Sequence, residues 1–314
     1  MYILGFIKKK VTNVTKFKVS GNSVNGFNIK TVEDCYVDWG DNTEPQIMLG
    51  PNDTGNTQSH TYTDGLTEHI ISITGNHKGL RLPRTAPIEL ISLSDTITQL
   101  NYTCNDCSNL TTIASTCIIP PNVQDCSSMF ENCTKLSEIS ENFIIPNSVT
   151  NCSSMFSGCS SLTSIPKHLS IPNSVTNCSH MFADCSNLIE VEAGFTLGNS
   201  LVDCSSMFSY CSNLTTIPPS MKLPNCIQTC QNMFYYDFSQ LSSDISYIWP
   251  DEFEYTGTID LNHMFGSIMA SHVPVTGTVP ADKLWNSGKT FNSSYCFTSC
   301  TSLTNYSEIP AGWK

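Results

Sequence analysis

The hydrophobic and polar positions along this chain follow two rhythms. Up to about residue 85, short apolar or alternating runs such as Tyr36-Val37-Asp38-Trp39 and Ile70-Ile71-Ser72-Ile73-Thr74 are divided by polar turn clusters, Gly40-Asp41-Asn42-Thr43 and the loop from Gly50 to Ser59 among them. Such runs bounded by turn formers predict strands. The fold expected for residues 1–85 is a small β-sandwich. From about residue 100 the rhythm is a repeat. The dipeptide Met-Phe recurs at Met129-Phe130, Met155-Phe156, Met181-Phe182, Met207-Phe208 and Met233-Phe234, each 26 residues after the last.

Other positions keep step with it. Cys126, Cys152, Cys178, Cys204 and Cys230 lie four residues before each Phe, and Cys133, Cys159, Cys185 and Cys211 three after the first four. Leu136, Leu162, Leu188 and Leu214 follow, then Ile139, Ile165, Val191 and Ile217. A degenerate earlier unit places Cys104 at the Phe position, with Cys107, Leu110 and Ile113 behind it. After Phe234 the interval widens to 31 at Phe265 and to a further 32 at Phe297, which reads as enlarged terminal units. A unit this small buries its apolar face only against its neighbours, so the stack is the stable object. In each turn the Leu-x-x-Ile segment predicts a short strand in a parallel sheet. The Cys-x-x-Met-Phe-x-x-Cys segment, with apolar residues three and four apart, predicts a turn or two of helix or 3₁₀. The fold class expected is a mainly β repeat protein: a leucine-rich repeat solenoid of about 26-residue units over residues 86–234, preceded by the sandwich and followed by irregular units and a cap over 235–314.

The string CSSMFSGCSSLTSIP and its siblings resemble the BspA-like, or Treponema-type, leucine-rich repeats of bacterial and protozoan surface proteins. That resemblance implies an adhesion or binding role and names no ligand. In the N-terminal part, VDWGDNT followed by HTYTDG and HIISITG is similar to PKD-type immunoglobulin-like domains. There the tryptophan anchors the core and the Gly-Asp pair makes a hairpin turn, so the resemblance implies a spacer or attachment module.

Net charge is −12 with only two arginines, Arg81 and Arg84, which argues against nucleic acid as a partner. No stretch approaches the ~20 apolar residues of a membrane span. The segment Met1 to Val11 puts its apolar run before its lysines, the reverse of a signal peptide, so no export signal is expected and the route to a cell surface or virion exterior is open. The sixteen cysteines fall mostly at repeat positions. They are expected to be buried thiols acting as small apolar residues, with disulfides between adjacent turns as the alternative. Cys104-x-x-Cys107 has the spacing of half a zinc site but lacks the second half. Asp38 and Asp41 are expected to form turns rather than hold calcium. The seven histidines, His60, His69, His77, His168, His180, His263 and His272, are scattered, and no nucleophile or phosphate-loop motif accompanies them. No enzyme activity, cofactor or metal is therefore expected.

The residues left for function are those that the repeat does not dictate. On the sheet face these are Thr112, Glu138, Ser164, Glu190 and Thr216, regularly spaced for a protein or glycan ligand. The aromatic stretch from Tyr235 to Trp285 (Tyr235, Tyr236, Phe238, Tyr247, Trp249, Phe253, Tyr255, Trp285) is expected to cap the stack, with Trp249 and Trp285 as a candidate ligand surface. Two functions follow. The first is a non-catalytic adhesion protein; the second is a virion or phage surface component whose sandwich attaches while the solenoid faces outward. In either case Lys78 to Pro87 is expected to be a junction, and removing residues 1–85 is expected to leave a folded solenoid.

Overall fold

The computed structural model describes residues 14–235, 241–266 and 274–314. The Met1 to Val11 segment, Tyr236, Phe238 and His272 lie outside the described residues. The chain is mainly β. Strands β1 (Val14–Ser20), β2 (Ser23–Asp38), β3 (Gln46–Met48), β4 (Asn52–Thr61), β5 (Glu68–Arg81) and β6 (Pro87–Ser92) form the N-terminal part. Together with β7 (Thr112–Ile113) they make one seven-stranded sheet in the order β3-β2-β5-β1-β6-β7, with β4 also on β2.

All these strands belong to one hydrogen-bonded network. The sixteen-residue β2 changes partners along its length, pairing with β4 over Ser23 to Thr31 and with β3 over Cys35 to Val37. One long strand thereby joins what the turn spacing suggests are two sheets. The alternation of β1 and β5 places Phe17, Val19, Ile71 and Ile73 in the interior, as period two requires. Trp39 is the expected core anchor, 2% exposed and edge-on to Phe27 at 5.4 Å.

The expected junction carries strand structure. Lys78 to Arg81 lie inside β5, and Pro87 begins β6. Strand β6 pairs antiparallel with β1 on one side and parallel with β7 of the first repeat on the other. The end of β5 joins in: Gly79 bridges Gln99, and the Leu82 amide donates to Thr103 O at 2.7 Å. Further along, the Ser108 amide donates to Arg84 O and the Thr111 amide to Ile88 O. Residues 79–92 thus serve as an abbreviated first turn that occupies the open backbone groups of the first repeat, the role an edge needs filled.

Within the repeats the Cys-x-x-Met-Phe-x-x-Cys segment is not helical. The amides of Cys126, Ser128, Phe130 and Asn132 donate forward to the carbonyls of Asn151, Ser153, Met155 and Ser157 at 2.7–2.9 Å. The amides between them close tight turns, Met129 to Cys126 O and Cys133 to Phe130 O. Every second amide therefore binds the next unit, and the stack is a parallel ladder through its turns. The third residue of each turn has a positive φ: Ser128 and Asn132, Ser154 and Gly158, His180 and Asp184, Ser206 and Tyr210. That is the signature of successive type II turns. Apolar residues three and four apart fit such paired turns as well as a helix, which is why spacing misleads here. Gly158 (φ 72°) takes this position without strain, where its neighbours Asn132 and Asp184 adopt the same conformation with a side chain.

The inward side chains line up along the axis. Phe130, Phe156, Phe182, Phe208, Phe234, Phe265 and Phe297 form one column with centroids 5.2–6.0 Å apart and planes within 13° of parallel. All seven are fully buried. The intervals of 31 and 32 residues do not disturb the column, so Phe265 and Phe297 occupy the expected repeat position. Trp313 closes it: its carbonyl accepts the Phe297 amide at 2.8 Å, and its ring stacks on Phe297 at 6.3 Å.

Two outcomes follow from this packing. Phe182→Ala removes a ring held between two neighbours and is expected to cost about 3 to 5 kcal/mol, read as a lower urea midpoint in equilibrium unfolding. A fragment beginning at residue 86 loses β1 and the end of β5, so it is expected to melt well below the full chain. Equal melting temperatures would mean that these strands do not support the stack.

Candidate functional site

The strand-like positions are discontinuous. Strands β8 (Ser164–Ile165) and β9 (Glu190–Val191) pair in parallel, and Glu190 bridges Thr216. Three of the expected face residues, Ser164, Glu190 and Thr216, are therefore adjacent in one row. Thr112 pairs instead with Glu89 of β6, and Glu138 is exposed between them outside any strand. Glu89, which repeat reasoning misses because it precedes the first unit, extends the same row and lies 3.7 Å from Lys18. With rows of stacked strands ~4.8 Å apart, the face offers one polar group per turn, with acids at Glu89, Glu138 and Glu190.

The aromatic candidates fare differently. Trp249 is 1% exposed and lies against Phe265 and Phe297 at 6.1 and 6.0 Å, so it is core and not a ligand surface. Its wide ring fills the space beside the column where the units enlarge. Trp285 is half-buried and edge-on to Trp313 at 5.8 Å, part of the same cap.

A second polar row was not legible as such in the sequence. Gln99, Asp125, Asn151, Asn177, Asp203, Thr229 and Asp260 bridge one another in turn along the axis. From Asp125 onward each side chain also accepts the amide two residues on: Ser127 to Asp125 Oδ1 at 2.9 Å, Ser153 to Asn151 Oδ1 at 3.1 Å and Ser179 to Asn177 Oδ1 at 2.9 Å. These Asx turns lead the chain into each Cys-x-x-Met-Phe segment. The Asp and Asn immediately before the repeat cysteine were the available signal.

Fifteen of the sixteen cysteines are buried, and Cys226 is half-buried. The Cys159, Cys185 and Cys211 thiols donate to the carbonyls of Phe130, Phe156 and Phe182 in the preceding unit at 3.0–3.2 Å. A small apolar side chain that also donates a weak hydrogen bond suits this position better than alanine. Burial pushes the thiols of Cys104, Cys126, Cys133 and Cys159 well above their ordinary range, which disfavours the thiolate that nucleophilic or metal chemistry needs. Cys107 directs its thiol to Pro83 O at 3.4 Å. Among the described residues no cluster of His, Cys, Asp or Glu is arranged to hold a metal ion.

In the N-terminal sheet the two turn acids are occupied. Asp38 accepts the Gly40 amide, and Asp41 accepts the Thr43 hydroxyl at 2.6 Å and pairs with His60 at 2.7 Å. His60 stacks on Trp39, and Tyr62 on His69, which meets Asp64 at 3.0 Å. Partial burial raises the Asp41 carboxyl, but the hydrogen bonds from Thr43 and His60 outweigh it and hold the group down to about 2.

Three comparisons bear on this geometry. A family model described as "Mycoplasma protein of unknown function, DUF285" matches residues 98–221. No curated protein matches the chain. Among solved structures, a leucine-rich repeat protein from Bacteroides ovatus ATCC 8483 is similar at 20% identity and a TM-score of 0.32 over 71% of this chain. The chain spans 64% of that protein's length.

Thiol labelling of the native protein is expected to modify Cys226 first and the others slowly, whereas denaturation without reductant should open most of the sixteen to reagent. Asp41 supplies a pH test. Its folded pKa of about 2 lies below its ordinary 3.8, so its stabilisation is present above that value and is lost as pH falls toward 2. The difference in urea midpoint between the native chain and Asp41→Asn is therefore expected to shrink across that interval.

Proposed function

We propose that the stack is a leucine-rich repeat solenoid of the BspA-like kind and that the chain is a non-catalytic binding protein, recognising an extended protein or glycan through the row Glu89, Thr112, Glu138, Ser164, Glu190 and Thr216. The observation that carries this reading is the contrast between the two sides of each turn. The repeated Met, Phe, Cys and Leu are consumed by the interior, while the row along the strands is polar and at least partly open to solvent, with Glu138, Glu190 and Thr216 exposed. An extended ligand can engage such a row at several turns at once, gaining affinity from weak contacts that act together.

A second reading, a component of a surface assembly, is favoured by the N-terminal sheet. Tyr36 on β2 and Ile47 on β3 are paired across the ladder and 47% and 54% exposed, with Leu49 beside them at 71%. The sheet ends at the short edge strand β3 there. An apolar group at an open edge suits attachment to another protein.

The test is binding of the full chain to immobilised cell-surface glycans and matrix proteins, compared with the double variant Glu138→Lys, Glu190→Lys. Both residues are exposed, so the variant is expected to melt like the native chain and to lose ligand capture. Undiminished capture would show that the row is not the binding face.

A further inference from the structure

One concavity lies off the strand row, where the N-terminal sheet meets the first turns. It has a volume of about 380 Å³ and is lined by Asn28, Lys30, Thr54, Arg81, Gln99 and Tyr102 among others. That size lies at the lower end of small-molecule pockets and suits a single sugar ring.

Its charge is opposite to that of the protein. The chain carries −12 overall, yet the pocket contains Lys30 and one of the two arginines. Among the described residues neither cation is in an ion pair. Lys30 Nζ reaches Gln99 Oε1 at 3.4 Å, and Arg81 donates to Asn105 Oδ1 at 3.0 Å. The acids nearby are committed elsewhere. Asp53 is held by Lys78, with Lys30 adding to its field, while Glu131 accepts the Asn105 amide at 3.1 Å. Asn105 is 7% exposed, so it holds the Arg81 guanidinium from a buried base and leaves the rest of the fork toward the pocket.

The remaining lining is neutral and hydrogen-bonding, apart from one exposed ring. Tyr102 occupies the positive-φ position of its turn (60°), is 46% exposed and lies 5.9 Å below the Arg81 guanidinium carbon. An aromatic face beside amide and hydroxyl groups matches a sugar ring, whose C–H face is apolar and whose hydroxyls bond at the edge. Two unpaired cations, one of them a planar fork, match a carboxylate on that ring.

We propose that this junction pocket binds a carboxylate-bearing monosaccharide unit, such as a hexuronic acid of an acidic glycan. The carboxylate meets Arg81 and Lys30, the ring lies on Tyr102, and the hydroxyls face Asn28, Thr54 and Gln99. The site is separate from the strand row and does not depend on that row's having a ligand.

Calorimetry and saturation-transfer NMR on the full chain test the assignment with free glucuronic acid, glucose and inorganic phosphate. Glucuronic acid is expected to bind at least about tenfold more tightly than glucose, and Arg81→Gln and Lys30→Gln each to weaken it by about tenfold. Tyr102→Ser should weaken glucuronic acid and leave any phosphate binding unchanged. Because Arg81 touches Asn105, Lys30→Gln provides the reading should Arg81→Gln fail to fold. Glucuronic acid bound no better than glucose, displacement by equimolar phosphate, or native affinity in Lys30→Gln would each overturn the proposal.

Discussion

The parallel register of one turn upon the next is the constraint on which the other features depend. Every second amide of the Cys-x-x-Met-Phe segment is spent on the following unit, and that fixes where each side chain stands along the axis. Once Phe156 N is bonded to Met181 O, the ring of Phe156 has no position except over that of Phe182, at 5.7 Å. The thiol ladder, the Asx row and the outer polar row are the same register seen at other angles around the turn. Stability here is a sum of neighbour terms, each modest, in which hydrogen bonds supply direction and buried rings and aliphatics supply most of the free energy.

Such a ladder leaves unpaired groups at both ends, and the chain resolves them differently. At the start, the end of β5 and β6 remain in the N-terminal sheet and also act as a shortened turn, so that sheet and stack share one continuous set of hydrogen bonds. At the finish, Trp313 reproduces the position of a repeat phenylalanine without the repeat around it. The junction pocket lies where these two parts meet.

Much of this was legible in the sequence. The 26-residue interval identified the interior of every turn, and Met129, Phe130, Cys126 and Cys133 are all fully buried as their repetition implies. The backbone between them was not legible, since spacing of three and four describes both a helix and paired type II turns. The positive-φ sites give the difference only in retrospect: Ser128, Asn132, His180 and Asp184 share little chemistry beyond tolerance of that conformation. Trp249 was ambiguous for another reason, because composition marks aromatics as cap and contact alike and only packing separates them. The continuity of sheet and stack was hidden because residues 79–92 imitate a turn in backbone geometry while sharing none of its sequence.

The enlarged units show how this architecture separates contour length from pitch. Between Phe234 and Phe265 and between Phe265 and Phe297 the chain spends 31 and 32 residues, yet the rings advance only 5.2 and 6.0 Å, as they do across a 26-residue unit. The added residues leave the advance along the axis unchanged. Any group mounted on the ladder is therefore carried at a constant spacing, whatever the length of chain between one rung and the next. A change in the number of residues between rungs costs no register, whereas a change within a rung would shift every amide from its partner in the next unit.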